Sequence, residues 1–113
     1  MAVYVSNITI PVGADFERTF SLEDNVTNSF LDLEGYTGSS MLKKHPSSLT
    51  TAATFVIDFT NRSYGEFKIS LGSSITSQLK PGRYCYDVLL SDGVKKSRIV
   101  EGSALVTAGI TTG

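Results

Sequence analysis

Apolar and polar residues alternate in short runs along this chain, and turn residues divide the runs; no window holds helical spacing long enough for an ordinary helix. Val3 to Ile10 opens the pattern and stops at Pro11, whose missing N–H suits a sheet edge or a strand end. From Asp15 a second strand sets Phe16, Arg18, Phe20 and Leu22 inward against Glu17, Thr19, Ser21 and Glu23. Arg18 breaks this phase and fits the core margin, its stem along apolar surface and its head in water. A polar loop over 24–29 leads to Phe30–Tyr36, a short piece expected to tuck under a sandwich edge. A strand from Tyr36 to Lys44 follows, interrupted by His45-Pro46-Ser47-Ser48, because proline neither continues a ladder nor allows helix before it.

Ala53 to Thr60 reads as one strong strand with Phe55, Ile57 and Phe59 on one face. Residues 61–65 form a turn, and Phe67, Ile69 and Leu71 mark the next inward face. Ser73 to Leu79 offers a single helical turn, with Ser73 or Ser74 as cap and Ile75 and Leu79 on one side. Tyr84 to Ser91 is the longest strand candidate, and Asp92-Gly93 is the two-residue turn of a tight hairpin. The last segment, Arg98 to Ile110, alternates around Gly102 and Gly109, where glycine points to a bulge or a change of partner. About seven or eight strands with turns between them, plus one helical turn, predict an all-β sandwich.

Leu79-Lys80-Pro81-Gly82-Arg83-Tyr84 sharpens that prediction. Pro81 and Gly82 set a turn, Leu79 plugs the end of the core, and the Tyr84 hydroxyl can bond back to the connecting backbone, the arrangement of a tyrosine corner in Greek-key sandwiches.

Composition changes the picture mainly by exclusion. With 113 residues, 41% of them apolar, the chain reads as one sandwich domain over residues 1–113. Ten Lys and Arg against eleven Asp and Glu leave a formal charge of -1, which argues against nucleic acid or an anionic membrane as partner. The single Cys excludes an internal disulfide. The N-terminus lacks the basic start, apolar stretch and cleavage site of a secretory signal, so synthesis in the cytoplasm is expected.

In order along the chain come the blocks Gly13–Phe20, Leu31–Thr37, Gly65–Leu71 and Leu79–Val88, then Asp92-Gly93 and Glu101–Val106. Their succession resembles the immunoglobulin-like domain of bacteriophage tail and baseplate proteins, including the N-terminal domain of siphophage upper baseplate proteins. The resemblance implies an immunoglobulin-like Greek-key sandwich in a non-enzymatic virion protein of the tail, neck or baseplate. It also implies partners among virion proteins and further copies of the same chain. Terminal strands with apolar alternation are the expected assembly surfaces, through Val3, Val5, Ile8 and Ile10 at one end and Leu105 and Val106 at the other. A capsid decoration protein is one alternative, and a carbohydrate- or surface-binding module using Tyr4, Tyr36 and Tyr64 is another. Since the blocks fill nearly the whole chain, a stand-alone module is expected.

Catalytic chemistry finds no foothold. His45 sits in a Pro-Ser loop without an acidic neighbour, and Cys85 lies between two tyrosines of a core strand, so no nucleophile, base and orienter assemble. One His and one Cys do not make a zinc site, and Asp15, Asp24, Asp32 and Asp58 lack calcium-loop spacing. No phosphate cradle forms at Gly35–Ser40, where Gly-Lys-Ser/Thr is missing. Lys43-Lys44 and Lys95-Lys96 are too short for a nucleic-acid patch. No catalytic, cofactor or metal site is therefore expected.

Overall fold

Nine strands run through the residues that the computed structural model describes, 4–23 and 32–109. They are β1 (Tyr4–Val5), β2 (Ile8–Pro11), β3 (Phe16–Ser21), β4 (Thr37–Lys43), β5 (Ala53–Thr54), β6 (Val56–Asn61), β7 (Glu66–Leu71), β8 (Gly82–Ser91) and β9 (Lys96–Thr107). Val3, the loop 24–29, the Phe30 and Leu31 positions and Ile110 lie outside the described residues.

The strands form two sheets. In the larger the order is β1-β9-β8-β4-β5, with β2 continuing along β9; in the smaller it is β3-β7-β6. β1 and β2 run parallel to β9, and every other pair is antiparallel. The protein is an all-β sandwich of two sheets.

Alternation puts one face of each sheet into a shared core. Phe67, Ile69 and Leu71 of β7 face Tyr84, Tyr86, Val88 and Leu90 of β8, all buried. Aromatic rings knit the layers through Phe55, which lies 5.9 Å from Phe16 and 6.0 Å from Tyr86, while within the smaller sheet Phe20 stacks on Phe67 at 5.3 Å. Burying each such ring contributes on the order of 2 kcal/mol, before the offset geometry adds its smaller share.

Several expected elements differ in detail. The segment Ala53–Thr60 is two strands, not one: Ala53 and Thr54 pair with β4, whereas Val56 onward pairs with β7. The chain crosses between sheets at Phe55, whose N–H still donates to Ser40 O (2.9 Å) in the larger sheet while its ring enters the core. The helical turn spans Ser73–Thr76 only, and its inward residue is Thr76, not Ile75, which is exposed. Neither Ser73 nor Ser74 caps it; the Ser73 N–H instead donates to Asp15 Oδ1 at 2.7 Å. Thr76 Oγ1 accepts from Gly13 N–H (3.2 Å) and donates to Ala14 O (2.8 Å), tying this turn to the β2–β3 connection. Arg18 is exposed, as a charged residue at the margin should be, and its guanidinium lies 5.7 Å from the Phe20 ring centroid.

The bulge in β9 falls at Ile99, not at Gly102. Val88 pairs with Val100 but Leu89 with Arg98, so Ile99 is the extra residue, and Ile99 and Val100 are both buried. The hairpin turn is displaced by one residue: Asp92 N–H donates to Lys95 O at 3.2 Å, leaving Gly93 and Val94 at its tip. Gly93 holds φ 97, a conformation open to glycine at little cost. Asp92 Oδ1 accepts from Val94 N–H (2.9 Å) and Lys95 N–H (2.8 Å).

Candidate functional site: the outer face of the larger sheet

The outward residues of this sheet fall into rows set by strand register. Val5, Glu101, Asp87 and Met41 share one row, and Ser103, Cys85 and Lys43 share the next. Cys85 and Ser103 are short, so the second row is sunken between taller neighbours. The result is a shallow depression of about 730 Å³, with Met41, Lys43 and Pro46 along one side and Val5 and Asn7 along the other.

An antiparallel sheet usually turns a polar face to water. Here Val5 is 74% exposed, Leu105 45% and Met41 42%. The charged groups beside them are ordered: Arg98 Nε donates to Asp87 Oδ2 at 2.9 Å. The β9 bulge creates that pair, because the extra residue returns Arg98 to the outer face beside Leu89, one row from Asp87. Apolar side chains around a depression, rimmed by charge, are the form an interaction surface takes.

One edge of this face is built around a break in the N-terminal strand. At Ser6–Asn7 the ladder to β9 is interrupted: Ser6 O turns toward the interior and accepts the Tyr86 hydroxyl at 2.6 Å. Asn7 Oδ1 takes the place of the lost backbone acceptor, receiving Ser103 N–H and Ser103 Oγ–H, each at 3.1 Å. Gly102, directly opposite Tyr86, makes the approach possible; a Cβ there would stand 2.1 Å from Ser6 O. Burial pushes the Tyr86 phenol pKa above its ordinary value, against the smaller lowering effects of the Ser6 side chain and the Arg18 charge.

This arrangement corrects the expected assembly strands. Ile8, Ile10 and Val106 are core residues, and β9 is flanked by β1 and β2 on one side and β8 on the other, so the C-terminal segment has no free ladder to offer. Val5 and Leu105 do reach the surface, through the outer face rather than the edge. The N-terminal edge is two short pieces separated by the Ser6–Asn7 break and closed by Pro11, features that discourage strand addition.

The remaining candidates are scattered. Tyr84 donates its hydroxyl to Lys80 O at 2.8 Å, with Leu79 buried beside the turn at Pro81 and Gly82, the geometry of a tyrosine corner. Lys44 Nζ sits 4.5 Å above the Tyr84 ring. His45 is exposed, with Nδ1 2.8 Å from Ser47 Oγ, and Cys85 donates to Lys43 O at 3.3 Å. Asp15 receives the Ser73 N–H, Asp32 receives Glu34 N–H at 3.0 Å, and Asp24 lies outside the described residues. Tyr36 packs against the core and Tyr64 is exposed, while the Tyr4 side chain is outside the described set. Among the described residues no group of three His, Cys, Asp or Glu side chains could hold a metal ion, and no helix is long and apolar enough to cross a membrane.

Arg62 carries weight that no sequence pattern announced. From a 3₁₀ turn at Arg62–Tyr64 its Nη1 donates to Leu33 O (2.7 Å) and Tyr36 O (2.8 Å), and the guanidinium lies 4.1 Å from the Phe59 ring centroid. It holds the entry to β4 and so the end of the outer face.

No protein-family model matches the chain. No curated protein matches it. Among solved structures it is similar to part of InlP from Listeria monocytogenes, with TM-score 0.48 and 17% identity over 90% of this chain and 26% of that one. It is also similar to part of a family 123 glycoside hydrolase from Clostridium perfringens, with TM-score 0.43 and 12% identity over 96% of this chain and 24% of that one. The chain spans about a quarter of the length of each.

Proposed function

We propose that this chain is a non-enzymatic structural module of a bacteriophage particle, placed in the tail, neck or baseplate, and that it works by presenting the outer face of its larger sheet to neighbouring subunits. The phage assignment rests on the ordered sequence blocks. The observation that carries the assembly role is the exposure of Val5 and Met41 around a depression, with Leu105 exposed farther along β9, on a sheet face that water alone would leave polar. Rigidity supports the same role, since the Phe16–Phe55–Tyr86 cluster and the Arg62 clamp fix both layers beneath that face.

The test is biochemical. Particles purified by density gradient and probed with an antibody to this chain should carry it in fixed stoichiometry, with label on the tail. Label on the head moves the protein to the capsid decoration alternative. Particles free of the chain overturn the proposal.

A further inference from the structure

We infer that the outer face binds a second copy of this chain face to face about a two-fold axis, with Lys43 of each copy meeting Glu101 of the other. The inference rests on the assembly reading above and names its partner.

Lys43 on β4 and Glu101 on β9 both line the depression, on opposite sides of β8. Among the described residues neither belongs to an ion pair, whereas Asp87 between them is matched by Arg98. The lining of the depression therefore presents one unmatched cation and one unmatched anion at separated positions, while Arg83 and Lys96 lie elsewhere on the same face. Register places them two strands and two residues apart, about 10 Å across the sheet and about 7 Å along it. Within one copy the two groups do not pair, so both stay available for exchange between two.

A two-fold axis lying between two such faces, perpendicular to the line joining Lys43 and Glu101, interchanges the two positions. Each lysine then stands over the glutamate of the second copy, and the pair forms twice. The axis passes above β8 between Cys85 and Asp87, so the sunken rows lie against each other. The same operation carries Val5 to the far end of β4, beside the second copy's Pro46, covering the most exposed apolar residue of the face. Strands of the two copies cross at about 70°, within the orthogonal class of sheet packing. Self-complementarity of this kind defines an isologous contact, which closes at two subunits.

The decisive experiment is sedimentation equilibrium of the purified full chain over a rising concentration series, for the wild type, Lys43→Glu, Glu101→Lys and the double exchange. The wild type should dimerise reversibly, and each single exchange should weaken association by about tenfold or more. The double exchange should restore most of it. Thermal melts matching the wild type verify that each variant folds. A wild type that stays monomeric throughout overturns the inference, as does a dimer indifferent to the exchanges or one that the double variant leaves as weak as the singles. Particle labelling is independent of these outcomes, so a labelled tail with a monomeric purified chain removes this contact and leaves the virion role in place.

Discussion

The Tyr86 hydroxyl donates to the Ser6 carbonyl at 2.6 Å, across a glycine whose missing side chain is the space the bond occupies. One contact thereby joins strand β8 to the N-terminal strand over the top of β9. Replacing Tyr86 with Phe leaves the Ser6 carbonyl without this donor at a half-buried position and should cost about 1–2 kcal/mol. For a domain of this size that lowers the melting temperature by about 4–8 °C. Calorimetry at neutral pH reads the difference; an unchanged melting temperature would remove the bond from the stabilising contacts.

The same pair makes a pH prediction with a definite sign. Burial raises the Tyr86 pKa above the ordinary 10.0, so folding favours the protonated phenol. Its contribution is complete below pH 10 and fades as pH rises through the folded value. Wild type should therefore lose more stability than Tyr86→Phe between pH 9 and pH 11, and the two denaturation midpoints should draw together.

Gly102→Ala is the steric counterpart. A Cβ 2.1 Å from Ser6 O and 2.8 Å from Ser6 C meets backbone, which cannot rotate away. The substitution should cost about 2–4 kcal/mol and detach the N-terminal strand from β9. Deleting residues 1–7 removes the obstruction, so in the truncated chain the same substitution should cost far less. A cycle of four denaturation curves measures this coupling.

Arg62 is a test of geometry against charge. Arg62→Ala loses two charge-assisted hydrogen bonds and the Phe59 stack, and should cost about 2–4 kcal/mol. Arg62→Lys keeps the charge but not the planar guanidinium, and should recover less than half of that loss. Equal stability of the lysine variant and wild type in urea would show that charge alone suffices.

Asp92 supplies an acid-side prediction. Hydrogen bonds from Lys95 and Val94 N–H hold its carboxyl below the usual 3.8. Its contribution is thus present above pH 3.8 and disappears as pH falls through the folded value. Asp92→Ala should be slightly less stable than wild type at pH 7 and indistinguishable from it near pH 2, as read by the urea midpoint at each pH.

Inward faces were legible in the chain wherever a strand keeps one partner. Phe67, Ile69 and Leu71 show this, because alternation is a direct product of the pleat. Partner choice left no such mark. Phe55, Ile57 and Phe59 stay in one phase through the point where the chain changes sheets, so the crossover between Thr54 and Val56 is silent in the pattern. The Ser6–Asn7 break is silent for a related reason: it depends on Tyr86 and Gly102, residues far along the chain. The bulge did leave a trace, since adjacent Ile99 and Val100 cannot both face inward in regular alternation. The outer face was half visible. Val5 and Leu105 were read as surface-forming together with Ile8, Ile10 and Val106, whose opposite phase puts them in the core.

The kink at Ser6–Asn7 also limits what this molecule can become at high concentration. A straight, uninterrupted border strand is a template on which identical chains can add without end. Here the border is bent and ends at a residue with no amide proton, so ladder growth has no regular start. This restriction belongs to the N-terminal border alone, since the smaller sheet keeps β3 and β6 as edges of its own.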